Sequence, residues 1–259
     1  MNVEKKIAVL IDAENASMKS LGSILIELSK HGHIITKRAY GDWSSKHLTN
    51  WAKTMNELVI QPIQQFSYTQ GKNSSDAALI IDAMDLLYSG KFDAFALVSS
   101  DSDFTRLASR LKESQIHVYG VGEKKTPPAF KNACDDFIYV EVLRQPKKAQ
   151  EVQEAKKETT TTTKTKPKTN YDITKDKELL LLLQNAVDDC ADDDGWAALA
   201  ECGSLIKKQF PDFDARNYGY GKLSRLFEES KAFDVWRKNI ENSDRKVMFL
   251  RDIVRYGAR

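Results

Sequence analysis

The chain has 259 residues, of which 41% are hydrophobic and 29% are charged, a balance typical of a soluble globular protein. This length is enough for one large or two modest domains with hydrophobic cores. No apolar run approaches the roughly 20 residues that a membrane helix needs, so we predict no membrane association. The formal net charge is only +2, which gives no reason by itself to expect nucleic acid binding.

The beginning of the chain, MNVEKKIAVLIDAEN, combines a basic pair with a short apolar stretch. We do not interpret it as a signal peptide, because the apolar stretch covers only residues 7–11 and charged Asp12 and Glu14 follow it. The chain has three cysteines, Cys134, Cys190 and Cys202. They lack CxxC spacing and the density of a disulfide scaffold, so we expect reduced thiols in a cytoplasmic protein.

Short apolar runs typical of strands alternate with helical patterns over residues 1–145. The predicted strands are residues 7–11, 34–40, 58–63, 94–100, 117–122 and 137–140. The predicted helices cover about residues 16–31, 44–57, 75–88, 103–113 and 128–135. This βαβα alternation predicts an α/β fold in which helices cover both faces of a central parallel sheet. In such folds ligands bind at the carboxyl ends of the strands.

Acidic residues follow two of the predicted strands. Asp12 ends the first strand, and Asp101 and Asp103 follow the fourth strand in the string SSDSDF. If these strands are neighbours, the three carboxylates converge, and Asp76 at the start of the third predicted helix is a further contributor. Carboxylates that share a cleft repel one another, and a divalent cation such as Mg²⁺ relieves that repulsion and activates water. Lys72 is a candidate contact for a scissile phosphate or, equally, a solvated lysine in a loop.

Each acid also has a simpler interpretation. Asp12 and Asp101 suit the start of a helix as capping residues, and the helix dipole favours Asp76 in a first turn. Asp82 and Asp85 lie on other sides of the third predicted helix, so we assign them to the surface or to helix packing. The four histidines lack the spacing of zinc ligands.

Four strings occur in order on matching elements, IDAEN, GKNSSDAALIIDAM, ALVSSDSDF and VYGVG, and with them residues 3–140 resemble the NYN family. NYN domains are PIN-like and close to the bacterial LabA-like group. The resemblance implies a three-layer PIN-like fold, a Mg²⁺ or Mn²⁺ site and ribonuclease activity. By motif, the catalytic and metal-binding acids would be Asp12, Asp76, Asp101 and Asp103, with Asn15 and Ser100 as supporting polar groups. Asn15 fits the NYN pattern but departs from the wider PIN class, in which acids are commoner in the pocket. Fewer acids imply weaker metal binding or a single-metal site.

The segment 146–170 contains a single large apolar residue, Val152, and is rich in Lys and Thr. Such a composition predicts a flexible linker. The predicted organisation is a first domain at residues 1–145, the linker at residues 146–172 and a second domain at residues 173–259. Net charge is zero over residues 1–145, +4 over 146–170, −7 over 171–204 and +5 over 205–259.

The second domain begins with a predicted helix at residues 177–190, which ends at the acidic turn DDDG. WAALAECGSLIKKQF predicts an amphipathic helix, and GKLSRLFEES continues into a third. AFDVWRK and KVMFLRDI predict a β-hairpin around a polar turn at residues 239–245. Three helices followed by a hairpin are the outline of a small winged-helix (α+β) domain.

Trp196, the stretch GSLIKKQFPDFDARNYGYGKLSRLFE and the hairpin resemble the OST-HTH or LOTUS domain over about residues 173–254. This resemblance implies RNA binding and, in some members, a protein contact. Candidate RNA contacts are Lys207, Lys208, Arg216, Tyr218, Tyr220, Lys222 and Arg225. The simpler interpretation is that the two tyrosines and Trp196 pack against the core and that the lysines are solvated.

The leading hypothesis is a divalent-metal-dependent ribonuclease whose second domain recruits RNA. The alternative is a non-catalytic RNA-binding regulatory or scaffold protein on a degenerate nuclease fold. A third hypothesis is a phosphatase or phosphotransferase with Asp12 as nucleophile, which is weakened because Glu14 stands two residues later. We identify no residue that would recognise the 2′-hydroxyl of RNA, so DNA stays an alternative substrate.

Overall fold

A computed structural model describes residues 4–66, 74–143, 172–239 and 246–256 of the chain. The chain divides into two units, Met1–Gln145 and Pro146–Arg259. The predicted linker, apart from its last residue, and the predicted hairpin turn after Asn239 lie outside the described residues. None of the helices in the described part of the chain is both long and apolar enough to cross a membrane.

The first unit is a six-stranded parallel sheet with flanking helices. Its strands are β1 Lys6–Asp12, β2 His33–Gly41, β3 Gln61–Gln64, β4 Ala94–Val98, β5 His117–Gly122 and β6 Asp136–Tyr139. Its α-helices are α1 Leu21–Leu28, α2 Trp51–Leu58, α3 Ser74–Tyr88, α4 Thr105–Glu113, α5 Pro128–Ala133 and α6 Val140–Leu143. The strand order is β3-β2-β1-β4-β5-β6, and every pair is parallel. The predicted α/β fold with a central parallel sheet is confirmed.

The central strand β1 explains the layers of this unit. Ile7, Val9 and Ile11 pack in one hydrophobic cluster with residues of α1 and α2. Ala8 and Leu10 pack in another cluster with residues of α3, α4 and α5. All five side chains are fully buried, as expected for a parallel strand covered on both faces. The alternation of side chains along β1 thus gives helices on both faces of the sheet, which is the predicted three-layer arrangement.

Several predicted boundaries are shifted; the second predicted helix, for example, begins with a 3-10 turn at Lys46–Leu48 and continues as α2 from Trp51. Two further shifts have a visible cause. The first predicted helix begins with a 3-10 turn at Met18–Ser20 and continues as α1, because the Asp12 carboxylate holds the preceding backbone in a turn. The third predicted strand starts later than expected. Leu58 is the last residue of α2, and Val59 adopts the left-handed conformation, with φ 53°, that ends the helix.

The second unit is a small helical domain with an antiparallel sheet. Its α-helices are α7 Lys177–Cys190, α8 Leu199–Gln209, α9 Leu223–Ser230 and α10 Ile253–Tyr256. Its strands are β7 Ala197–Ala198, β8 Phe233–Asn239 and β9 Lys246–Asp252, in the order β7-β9-β8. Three helices followed by the β8–β9 hairpin confirm the predicted winged-helix arrangement.

The short strand β7 was not predicted. Ala197 and Ala198 pair with Leu250 and Phe249 of β9, so α8 begins at Leu199 and not at the tryptophan before them. Two alanines carry no strand pattern of their own. Their conformation is fixed by the partner strand, which the local sequence does not reveal.

Candidate metal-binding active site

Two acids lie at the carboxyl edge of the parallel sheet. Asp12 is the last residue of β1, and Asp101 lies three residues beyond the end of β4. The two strands are neighbours, with Ile11 opposite Val98, which is the condition for the acids to converge. The chain crosses from one side of β1 to the other between β3 and β4. Ligands of open α/β sheets bind at such a switch in strand order.

The Asp12 carboxylate is 1% exposed and accepts four hydrogen bonds. Its Oδ1 accepts the backbone N–H groups of Glu14 and Asn15 at 3.1 and 3.3 Å. Its Oδ2 accepts the side-chain amide of Asn15 at 2.8 Å and the hydroxyl of Ser99 at 2.7 Å. A carboxylate offers about four lone-pair positions. Asp12 therefore uses its full acceptor capacity to hold the loop after β1 and the end of β4.

Ser99 joins the two strand ends. Its hydroxyl donates to Asp12 and accepts the backbone N–H of Asp101 at 3.0 Å. Asp101 in turn caps a 3-10 turn, because its Oδ1 accepts the backbone N–H of Asp103 at 3.0 Å. The simpler interpretation of Asp101 as a capping residue is thus correct, and it involves one of the two carboxylate oxygens.

Three of the four predicted acids come together as one group. Asp76, Asp101 and Asp103 each place a carboxylate oxygen within 4.8 Å of the others. Asp76 stands in the first turn of α3 and is buried, whereas Asp103 is exposed. Opposite ligands of a six-coordinate Mg²⁺ lie about 4.2 Å apart. Small side-chain movements would therefore bring the three oxygens onto one ion, with Asp12 beside them but outside this group.

The electrostatics of the group favour a cation. The pKa of Asp76 is raised to about 6, first by burial and then by the negative charges of Asp12, Asp101, Glu14 and Asp103. A bound cation would offset both causes. The donors are carboxylate oxygens, which fit a hard divalent ion such as Mg²⁺ or Mn²⁺.

The supporting residues fall into different positions. Asn15 donates to Asp12, as described, and stays exposed at the rim of the site. Ser100 accepts the backbone N–H of Glu123 at 2.9 Å, so its hydroxyl supports the loop after β5. Lys72 lies outside the described residues.

Two contributors were not assigned a role from the sequence. Ser99 makes the link between Asp12 and Asp101, and Glu14 adds negative charge near Asp76. Both residues lie close in sequence to a predicted acid, since Ser99 is two residues before Asp101 and Glu14 is two residues after Asp12. Neither role is visible without the pairing of β1 with β4.

Asp82, which was assigned to the surface or to helix packing, anchors α3. Its carboxylate accepts hydrogen bonds from the Arg38 guanidinium and from the hydroxyl of fully buried Tyr40, both on β2. Burial, followed by the Asp82 carboxylate, raises the pKa of Tyr40. This contact holds α3 against the sheet and so positions Asp76 in its first turn.

The predicted RNA-binding residues of the second unit lie on and around α8 and α9. Lys207 and Lys208 are exposed in the last turn of α8, and Lys222 is exposed at the start of α9. Arg216 pairs with Asp214 through its Nε and an Nη, with the Nη–carboxylate contact at 2.6 Å.

Arg225 pairs with Glu228 at 3.1 Å. Tyr218 and Tyr220 are half-buried and pack against the core of the unit, and the Tyr218 ring lies 5.8 Å from that of Phe213. Packing against the core therefore accounts for both tyrosines without RNA.

Comparisons with known proteins identify two domains. The NYN domain family matches residues 6–141, and the OST-HTH/LOTUS domain family matches residues 173–243. A search of curated proteins found no match.

Solved structures similar to the chain include two proteins without a stated function. A protein from Vibrio parahaemolyticus is 17% identical, with a TM-score of 0.46, over 54% of this chain and 94% of that chain. A protein from Nitrosomonas europaea is 30% identical, with a TM-score of 0.29, over 37% of this chain and 91% of that chain. The two domain matches, which span most of the described residues, carry the assignment of family.

Proposed function

Because this chain belongs to the NYN domain family, we propose that it is a divalent-metal-dependent ribonuclease whose OST-HTH/LOTUS domain recruits RNA. The NYN domain makes the first unit a nuclease-type domain, and the second domain points to RNA binding. The observation that carries the proposal is the group formed by Asp76, Asp101 and Asp103 at the carboxyl edge of the sheet. Such a group of acids repels an RNA phosphate unless a cation lies between them.

Asp76, Asp101 and Asp103 are the proposed ligands of Mg²⁺ or Mn²⁺. When bound, the cation would supply an activated water and would stabilise the negative charge that develops on the phosphodiester. Asp12 adds charge and positions the loop after β1. A direct bond from Asp12 to the cation requires the release of one of its four hydrogen bonds, and the partner best placed to move is the exposed amide of Asn15.

The second unit is proposed to hold the RNA backbone. Lys207, Lys208 and Lys222 are exposed to solvent. Arg216 forms an ion pair with Asp214, and Arg225 forms one with Glu228. Phosphate contacts from lysines supply affinity and salt dependence more than sequence preference. Tethering a binding domain to a nuclease domain raises the effective RNA concentration at the acidic site.

The test is cleavage of labelled single-stranded and structured RNA by the purified full chain with Mg²⁺, Mn²⁺ or EDTA. The double variant Asp101→Asn/Asp103→Asn should lose metal-dependent cleavage, since it removes two of the three proposed ligands. Asp85→Asn is the matched control, because Asp85 is an exposed acid on the same helix as Asp76.

Labelled DNA of the same sequence distinguishes the two nucleic acids. RNA binding by the wild-type chain without cleavage, at every divalent metal concentration, would contradict the nuclease proposal. That result would favour the non-catalytic RNA-binding alternative.

A further inference from the structure

A cleft of about 550 Å³ opens on the second unit, apart from the predicted RNA contacts. It lies between the acidic turn that follows α7 and the strands of the hairpin. Its lining includes Asp192, Asp194, Trp196, Asp234, Trp236 and Phe249. The volume is within the roughly 300–1,000 Å³ range of ligand pockets, and the proposed ribonuclease function assigns no role to it.

The cleft has an aromatic wall. Trp236 on β8 is 48% exposed, a large fraction for a tryptophan. Its ring contacts Trp196 edge to face at a centroid distance of 5.9 Å and Phe249, its cross-strand partner, at 5.4 Å. Two neighbouring rings therefore hold Trp236 in place while much of its surface faces water. A fixed, exposed tryptophan loses little conformational entropy on binding, and this residue type is enriched among the residues that dominate binding energy.

The turn that lines the cleft beside Trp196 is acidic. Asp192 Oδ1 accepts the backbone N–H groups of Asp194 and Trp196 at 3.1 and 2.7 Å, which fixes the turn beside the tryptophan. Gly195 adopts φ 82° in this turn, a conformation that favours glycine. Asp192 and Asp194 are both exposed. Their carboxylates disfavour a phosphate in the cleft and favour a cation.

The same wall already binds one cation of the chain. The Arg251 guanidinium lies 5.2 Å from the centre of the Trp196 ring and donates to Asp234 Oδ2 at 3.2 Å. A guanidinium is thus held between an aromatic face and a carboxylate on the inner side of the cluster. Trp236 and Asp194 offer the same two kinds of group to the solvent side.

We propose that this cleft binds an arginine side chain of a partner protein. The guanidinium would stack on the exposed face of Trp236 and pair with the carboxylates of Asp192 and Asp194. Arginine is favoured over lysine because its planar group stacks on a ring while its edge donates to carboxylates. The second unit would then use its lysines for RNA and this cleft for protein, so that loss of one interaction leaves the other intact.

The experiment is an NMR titration of the full chain, in which the indole N–H signals of the four tryptophans are assigned. The probes are a blocked glycine–arginine peptide and the same peptide with citrulline, a neutral group of nearly the same shape, in place of arginine. The arginine peptide should shift the signals of Trp236 and Trp196 and leave those of Trp43 and Trp51 unchanged. The citrulline peptide should shift none of the four.

Variants separate binding from folding. Trp236→Ala should raise the Kd of the arginine peptide roughly tenfold. Asp194→Asn, at an exposed position whose side chain caps nothing in the turn, should raise it roughly threefold. Phe210→Ala and Glu201→Gln, an exposed ring and an exposed acid elsewhere in the same unit, are the matched controls and should leave the Kd unchanged.

Three results would overturn the proposal. The first is an arginine peptide that shifts neither Trp236 nor Trp196, and the second is equal binding of the citrulline peptide. The third is a short oligouridylate that shifts the Trp236 signal, which would make the cleft part of the RNA surface. Because the titration does not depend on cleavage, these results leave the ribonuclease proposal to its own test.

Discussion

Aspartates are gathered in both units of this chain, but under opposite conditions. In the first unit, Asp12 and Asp76 are buried and lie beside Asp101 and Asp103, so that acids from three separate segments of the chain come together. In the second unit, residues 192–194 are consecutive in an exposed turn. Burial and neighbouring charge raise the pKa of Asp76, whereas water screens exposed carboxylates. Convergence and burial, rather than the local count of charges, thus create an acidic site that is compatible with a divalent cation.

The net charge of each segment alone would suggest that the acidic site lies in the second unit. Residues 171–204 carry a net −7, while residues 1–145 carry a net charge of zero. The strongest acidic segment thus contributes an exposed turn, and the neutral segment holds the buried acids. Neutralising acids in each unit separately is the direct way to test this contrast.

The largest effect is expected on RNA cleavage. Asp101→Asn/Asp103→Asn should lower the metal-dependent rate by roughly 10³-fold or more, because proposed metal ligands are removed. Asp189→Asn/Asp193→Asn removes the same amount of charge from exposed positions of the second unit and should change the rate less than about threefold. Rates are measured on one labelled RNA at saturating Mg²⁺. Similar losses in both double variants would show that overall charge matters and that the acidic group of the first unit does not.

The second-largest effect is expected on the thermal stability of the chain when a divalent cation is added. A cation that binds only the folded state stabilises it by about 2.7 kcal/mol at a hundred times its Kd. Mg²⁺ should therefore raise the Tm of the wild-type chain and leave that of Asp101→Asn/Asp103→Asn unchanged. Differential scanning fluorimetry with Mg²⁺ and with EDTA measures this shift. An equal rise in both proteins would place the cation elsewhere.

Asp76→Asn should stabilise the metal-free protein by roughly 1–2 kcal/mol at neutral pH, because a buried charge among like charges is removed. The sign follows from the pKa of Asp76, which is about 6 in the folded chain against an ordinary value of 3.8. Between these values the folded state binds more protons than the unfolded state, so the stability of the wild-type protein falls as pH rises toward 6. Above pH 6 the destabilisation by the charged Asp76 carboxylate stays constant.

Urea unfolding in EDTA at a series of pH values measures this effect. The variant should lack the fall in stability between about pH 4 and pH 6. A variant less stable than wild type at neutral pH would show that Asp76 makes a favourable contact that outweighs its burial.

A smaller effect is expected for RNA binding by the second unit. Lys207→Ala/Lys208→Ala should raise the Kd for single-stranded RNA roughly three- to tenfold. It should also reduce the slope of log Kd against log salt concentration by about 1.4, because each of the two lost phosphate contacts contributes about 0.7. Lys91→Ala, at the amino end of β4, is the control. Fluorescence polarisation at several salt concentrations measures both quantities, and an unchanged salt slope would remove these lysines from the RNA surface.

The smallest effect is expected for Asp193→Asn alone. Asp193 is exposed, and replacement of exposed charges usually changes the free energy of unfolding by less than about 0.5 kcal/mol. Urea unfolding of this variant and of Asp76→Asn, side by side, gives the comparison of exposed and buried acids within one protein.

Much of the fold could be predicted from the sequence because its strands are short apolar runs between helical patterns. That regularity placed Asp12 and Asp101 at the ends of strands and therefore at one edge of the sheet. The link through Ser99 could not be predicted, because it depends on which strand lies beside β1. The aromatic cleft could not be predicted either, because Trp236 contacts Phe249 only through the register of β8 with β9.

The hydrogen bond between Ser99 and Asp12 joins residues 87 positions apart in the chain. Contacts of such long range form late in folding, because the entropy of closing the intervening chain must be overcome first. During synthesis β1 leaves the ribosome before β4 exists, so the Asp12 carboxylate stays hydrated until the two strands pair. We therefore expect the acidic site to assemble only when the whole sheet has formed. A nascent chain that still lacks β4 would then lack the group formed by Asp76, Asp101 and Asp103.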